Sequence, residues 1–196
     1  MSTGFRARVK AGLRVDDSIK LIKTIKTSGT ITPSSKQLIE NLLRSIDFEK
    51  VKCIIELGPG NGCITKALLR RMPQDSVLIS FELNADFVPA LEALNDPRLH
   101  VVNSCASSIR AVLDEMGIAK VDQVVSSLPL ALIHTRLRRE ILATVDSNLE
   151  ASGRFLQYQY SLKNYADLKQ IFPEVKLRFT LRNMPPAFVY DCSKRA

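Results

Sequence analysis

From residue 51 onward the chain alternates short apolar runs with amphipathic segments, and few folds accommodate that order. The run 51–57, centred on Cys53-Ile54-Ile55, reads as a strand buried on both faces. Helix 64–71 follows, then strand 77–81 and helix 85–94, strand 100–103 and helix 109–116, strand 121–126 and helix 136–148. Gly153 reads as a turn ahead of strand 154–160, and helix 165–172 comes next. Strands 176–182 and 187–192 are separated only by residues 183–186. Four residues cannot carry a helical crossover, so these two strands are expected to be antiparallel neighbours. The pattern predicts an α/β fold: a doubly wound, mostly parallel seven-stranded sheet of the Rossmann-like kind, with the last strand antiparallel.

Residues 1–30 have a different character. Residues 1–36 carry Arg6, Arg8, Lys10, Arg14, Lys20, Lys23, Lys26 and Lys36 against only Asp16 and Asp17, so most of the chain's net charge of +8 sits there. Phe5, Val9 and Leu13 recur at helical spacing among the basic residues, and Ile19, Ile22 and Ile25 repeat the pattern. The expectation is a basic amphipathic arm (1–30) ahead of a single domain (31–196), with an anionic partner: nucleic acid or acidic lipid headgroups. A charged face serving solubility alone is the other reading. At Thr32-Pro33-Ser34-Ser35 a cap hydroxyl and a proline announce a helix, with Leu38, Ile39, Leu42, Leu43 and Ile46 as its buried stripe.

With 45% apolar and 24% charged residues, the 196-residue chain is neither disordered nor fibrous. No apolar run reaches the ~18 residues of a membrane span. No apolar segment of signal-peptide type follows the basic start. Cys53, Cys63, Cys105 and Cys192 lie far apart, and with two histidines they do not form a zinc pattern. The expected setting is a reduced, cytoplasmic one without a metal.

The stretch richest in chemistry is Glu56-Leu57-Gly58-Pro59-Gly60-Asn61-Gly62, placed where the first strand turns into the first helix. In such sheets ligands bind in the crevice beyond the carboxyl ends of the strands. Three alternate glycines let the backbone turn tightly and approach a ligand closely. A dinucleotide fingerprint would carry its third glycine at Cys63, and Glu56 would repel a pyrophosphate. Glu82 closes the second strand twenty residues after Gly62, placed to accept both hydroxyls of a ribose. A ligand with a ribose, a positive charge and no phosphate is S-adenosyl-L-methionine.

The E-x-G-x-G-x-G loop with Glu82 resembles motif I and the following acidic position of class I methyltransferases. That resemblance implies cofactor contacts from Glu56, Gly58, Pro59, Gly60, Asn61, Gly62, Glu82 and Leu83. It also implies an adenine contact at Ser104-Cys105-Ala106, where no Asp occurs in 103–108 and a serine hydroxyl or a carbonyl must serve instead. The loop Ser126-Ser127-Leu128-Pro129-Leu130 takes the place beside the transferred methyl group. Together with Ile31-Thr32-Pro33-Ser34-Ser35, Leu156-Gln157-Tyr158-Gln159-Tyr160 and Asn183-Met184-Pro185-Pro186-Ala187, these segments are similar to the small bacterial phosphatidylethanolamine N-methyltransferases. That family implies methylation of phosphatidylethanolamine and its methylated intermediates toward phosphatidylcholine. It also implies an N-terminal arm on an anionic membrane, and so a protein held peripherally at the inner membrane face.

A second resemblance, to rRNA adenine dimethyltransferases, rests on the same glycine loop and Ile64-Thr65. Leu130 stands where those enzymes place a base-stacking aromatic, and a C-terminal helical RNA-binding domain is not expected here. A non-catalytic binding module on the same fold is the third reading. For methyl transfer, the attacking amine must be neutral and aligned with the methyl carbon. Tyr160 and Tyr158 are the candidate aromatic faces for the resulting quaternary ammonium. His134 is the candidate proton acceptor or phosphate ligand, alternatively a surface residue at a helix start. Ser34 and Ser35 are candidates for the cofactor carboxylate at a helix N-terminus, or plain capping residues. Arg136, Arg138 and Arg139 are candidates for the headgroup phosphate.

Overall fold

A computed structural model describes residues 34–194. The amphipathic arm expected at 1–30 therefore lies outside the described residues. The elements run α1 (Lys36–Leu43), β1 (Cys53–Leu57), α2 (Cys63–Leu69), β2 (Val77–Phe81), α3 (Val88–Glu92), β3 (Leu99–Val102), α4 (Ile109–Glu115), β4 (Val121–Ser126), α5 (Thr135–Asn148), β5 (Leu149–Gln159), α6 (Tyr165–Ile171), β6 (Glu174–Thr180) and β7 (Ala187–Ser193).

The strands form one seven-stranded sheet in the order β3-β2-β1-β4-β5-β7-β6. β1 pairs in parallel with both β2 and β4, so the chain moves outward from the middle of the sheet in two directions. β7 slots between β5 and β6 and runs antiparallel to both, which leaves β6 running with the parallel strands. The expected architecture is present, including the reversed last strand. Adjacent residues of one strand serve opposite faces. Ile55, Ile79, Val124 and Phe155 pack with Ile109, Leu113, Ile141 and Phe172, under α4, α5 and the end of α6. Ile54, Leu78, Val125 and Leu156 pack with Leu38, Leu42 and Leu68, under α1 and α2. Burial on both faces is what makes the central strands almost purely apolar.

Two local expectations are corrected. Gly153 lies inside β5, beside the point where the β4–β5 register shifts between Val121 and Gln123. A Cβ there would meet the carbonyl oxygens of Asp122 and Glu150 at 3.0 Å, so the glycine serves a close backbone approach within a strand. The helix expected at 85–94 is a single 3-10 turn, Ala85–Phe87, running into the short α3. Pro89 sits in the first turn of α3, which it suits.

Candidate active site

The parallel strands end at a cavity of about 400 Å³, walled by the loops after β1 to β5 and by Ser34 just ahead of α1. It lies beyond β1 and β4, where the strand order reverses, the crevice position of open α/β sheets.

One wall is backbone. Gly58 and Gly60 take left-handed φ angles of +73° and +53°. A Cβ on Gly58 would come within 3.2 Å of Leu128, whereas one on Gly60 would meet nothing within 4 Å. The loop thus touches the opposite wall at Gly58 and stays open at Gly60. Glu82 pins it: one carboxylate oxygen accepts the Gly60 N–H at 2.9 Å and the other the Asn84 N–H at 2.8 Å. Burial pushes the Glu82 carboxyl up, and the backbone N–H groups of Asn84, Gly60 and Leu83 pull it back. A carboxylate has about four acceptor positions, so these N–H groups leave capacity for a ligand. Asn103 donates to the Glu82 carbonyl at 2.7 Å and steadies the next loop.

Glu56 is off the cavity wall. It is fully buried beneath the glycine loop, and one oxygen accepts the hydroxyls of Thr65 and Ser80, both at 2.8 Å. Its other oxygen has no partner. Burial drives this carboxyl up to about 7, against the two hydroxyl bonds, which favour the charged form. Glu56 therefore ties β1 to α2 and β2 and shapes the loop from below.

The facing wall is aromatic and apolar. Tyr158 and Tyr160 both line it, their rings edge to face at 5.9 Å between centroids. Ser34 donates to the Tyr158 hydroxyl at 3.4 Å. Burial raises the Tyr160 hydroxyl above its ordinary value, with Tyr158 adding to the rise. Gln157 and Gln159 both donate to the Leu128 carbonyl, at 3.1 and 2.8 Å, and so fix the loop after β4. Arg138 holds the far end of that loop through the carbonyls of Leu130 and Ile133, with Asp167 on its other side at 2.7 Å. This removes Arg138 from the phosphate-binding candidates. Arg136 and Arg139 are exposed.

The structure gathers most of the sequence candidates on one wall or the other: Pro59, Asn61, Leu83, Ser104, Cys105, Ala106, Ser127 and Leu128 join those already placed. Ser35, Gly62, Ser126 and His134 lie away from it. Ser35 caps α1, accepting the Leu38 N–H at 3.1 Å. Gly62 begins α2 with φ +76°, against Leu91. The Ser126 hydroxyl accepts the Leu128 N–H at 3.2 Å. His134 is exposed and caps α5, its Nδ1 facing the Arg136 N–H at 3.4 Å. Some contributors escaped the sequence reading. Phe87 and Leu132 complete the apolar wall from 3-10 turns too short to show periodicity. Asn183 accepts the Ser35 N–H at 3.1 Å and donates to the Pro185 carbonyl at 2.8 Å, and so joins the β6–β7 loop to α1.

No family model matches the chain. Burkholderia thailandensis 1,6-didemethyltoxoflavin-N1-methyltransferase, solved with bound 1,6-didemethyltoxoflavin and S-adenosylhomocysteine, superposes with a TM-score of 0.68 at 15% identity, over 96% of this chain and 94% of that one. That likeness establishes the fold. The ornithine lipid N-methyltransferase of Singulisphaera acidiphila is 32% identical over 176 residues, 88% of this chain and 92% of the relative. The chain belongs to the S-adenosylmethionine-dependent N-methyltransferases of class I. A shorter match, 35% over 74 residues, links it to the ribosomal RNA small subunit methyltransferase A of Acidithiobacillus ferrooxidans, over 37% of this chain and 27% of that protein.

S-adenosyl-L-methionine is the methyl donor of this class, and the residues present fit it. The open backbone at Gly60 admits close approach, and Glu82 keeps acceptor positions for a diol. The wall carries no Lys, Arg or His among the described residues, which suits a cation.

Proposed function

We propose that this N-methyltransferase methylates the primary amine of a polar lipid headgroup at the cytoplasmic face of the membrane, to which residues 1–30 attach it. Ornithine lipid and phosphatidylethanolamine share the required chemistry: an amine on a flexible tether, close to an anionic group and an apolar tail. The observation that carries the reading is the Tyr158–Tyr160 pair, which faces the Glu82 loop across one cavity. The lipid-methylating relative supports it along nearly its whole length.

The donor supplies a methyl group already activated on a sulfonium. The chain's own residues hold and orient. Glu82, Gly60, Leu83 and the loop Ser104-Cys105-Ala106 would hold the adenosine end, with Ser34 and Asn61 nearer the amino-acid end. The tyrosine faces would position the amine and stabilise the growing positive charge on nitrogen. Tyr160, raised by burial, stays neutral at physiological pH and acts through its ring, not as a base. His134 is off the wall and the Leu128 carbonyl is already occupied twice, so the amine's proton leaves to water. The anionic part of the headgroup stays at the mouth, because the wall offers it no cation.

Incubation with radiolabelled S-adenosylmethionine and, in separate arms, ornithine lipid, phosphatidylethanolamine and undermethylated 16S rRNA tests the proposal. Label in the organic phase of either lipid arm is expected, and the stronger arm names the lipid. Label confined to RNA would overturn it. Leu130, fully buried, gives a flipped base no stacking surface, which favours the lipid.

A further inference from the structure

The exposed large hydrophobic side chains among the described residues are Leu132, Leu162, Leu177, Phe179, Leu181 and Met184. They are not scattered. Leu132 follows β4, Leu162 follows β5, and Leu181 and Met184 lie in the β6–β7 loop. Because β6 runs with the parallel strands, all four stand at the carboxyl edge of the sheet, the edge at which the cavity opens. Leu177 and Phe179 alternate along the outer strand β6 and lead up to that edge. Leu181 is 74% and Met184 84% exposed, large values for side chains of this size.

The loops that carry these four tips share a charge pattern. Loops 127–134, 160–164 and 181–186 contain Lys163, Arg182 and His134 but no Asp or Glu. Loops at the opposite edge mix signs, with Asp47, Glu49, Asp75 and Asp96 among Lys50, Lys52 and Arg71. Apolar tips mixed with basic residues and free of carboxylates match an anionic bilayer, whose headgroups attract Lys and Arg and whose acyl boundary accepts Leu and Met. Leu132 makes the patch continuous with the reaction cavity, since the same side chain lines both.

We propose that the loop tips after β4, β5 and β6 form a second membrane-docking rim, separate from the N-terminal arm, which seats the cavity mouth against an anionic lipid surface. This rests on the lipid reading above and adds to it an orientation. The headgroup would then enter the cavity without leaving the interface, while the acyl chains stay in the bilayer.

The chain contains no tryptophan, so a single introduced one reports its own surroundings. Full-length Leu181→Trp and, at the opposite edge, Lys50→Trp are mixed with vesicles of phosphatidylglycerol and phosphatidylcholine, with and without brominated acyl chains. The proposal expects a blue shift and bromine quenching for Leu181→Trp and neither for Lys50→Trp. It also expects Leu162→Asp with Leu181→Asp to raise the apparent KM for lipid in vesicles about tenfold, the scale of two partly buried leucines. The same lipid in detergent micelles should be methylated as by the parent protein. Vesicle binding without quenching at Leu181→Trp overturns the rim and leaves the lipid reading standing. A reporter already blue-shifted without vesicles, and not quenched, overturns it in favour of residues 1–33 or a second copy as the occupant. Failure of the parent protein to methylate micellar lipid overturns the lipid reading, and the rim with it.

Discussion

The two walls of the cavity are built by different physical means. On the β1–β2–β3 side the recognition is built around main chain: glycines at left-handed angles and N–H groups held on Glu82. On the β4–β5 side it is side chain: two tyrosines, leucines, and a loop whose Leu128 carbonyl is held by two glutamines. A main-chain wall recognises what every member of a class must bind, and it changes only if the backbone changes. A side-chain wall can be re-cut one residue at a time, which is where a substrate is chosen. The division teaches that cofactor and acceptor should respond separately to substitution.

The largest effect is expected on the main-chain side. Glu82→Ala removes a ligand acceptor and frees the Gly60 and Asn84 N–H groups, so methyl transfer should fall about 100-fold or more. If Glu82→Ala raised the lipid KM and left the donor's affinity intact, the assignment of the two walls would be reversed. On the other wall, Tyr160→Leu should lower kcat about tenfold, most for the methylation that creates the quaternary ammonium, while Tyr160→Phe keeps the ring and most of the rate. Equal losses in both variants would show that the hydroxyl matters rather than the face. Asn183→Ala leaves the Ser35 N–H without its partner, and a stability loss of about 1–2 kcal/mol should appear as a lower Tm.

A further effect concerns pH. Glu56 binds its proton more tightly folded than unfolded, because burial raises it to about 7 from an ordinary value of 4.5. Between those values the unfolded chain releases a proton that the folded chain retains, so stability should decline as pH rises through this window. Glu56→Gln should flatten that decline in thermal melts recorded from pH 4.5 to 7. A melting profile unchanged by the substitution would show that the carboxyl is not held in its proton-bound form.

The same division explains what could be read in the sequence. The first wall is written locally: Gly58, Gly60, Gly62 and Glu82 announce themselves by spacing within one strand-turn-helix and the next strand. Even there the role of Glu56 was not legible, because a carboxylate beneath a loop and one lining a cavity have the same sequence position. The second wall comes from places distant in the chain. Asn183 meets Ser35 across 148 residues, and Arg138 on α5 meets Asp167 on α6. Residue type and spacing do not encode such meetings. Tyr158 and Tyr160 were legible because strand alternation puts them on one side. Gly153 was misread because a glycine at a register shift looks the same in sequence as one in a turn.

The most direct test of the account is calorimetric titration of S-adenosylmethionine into the parent protein, Glu82→Ala and Tyr160→Leu. The account predicts binding by the parent, binding by Tyr160→Leu at nearly the parent's affinity, and no measurable heat with Glu82→Ala. Undiminished affinity in Glu82→Ala would contradict it.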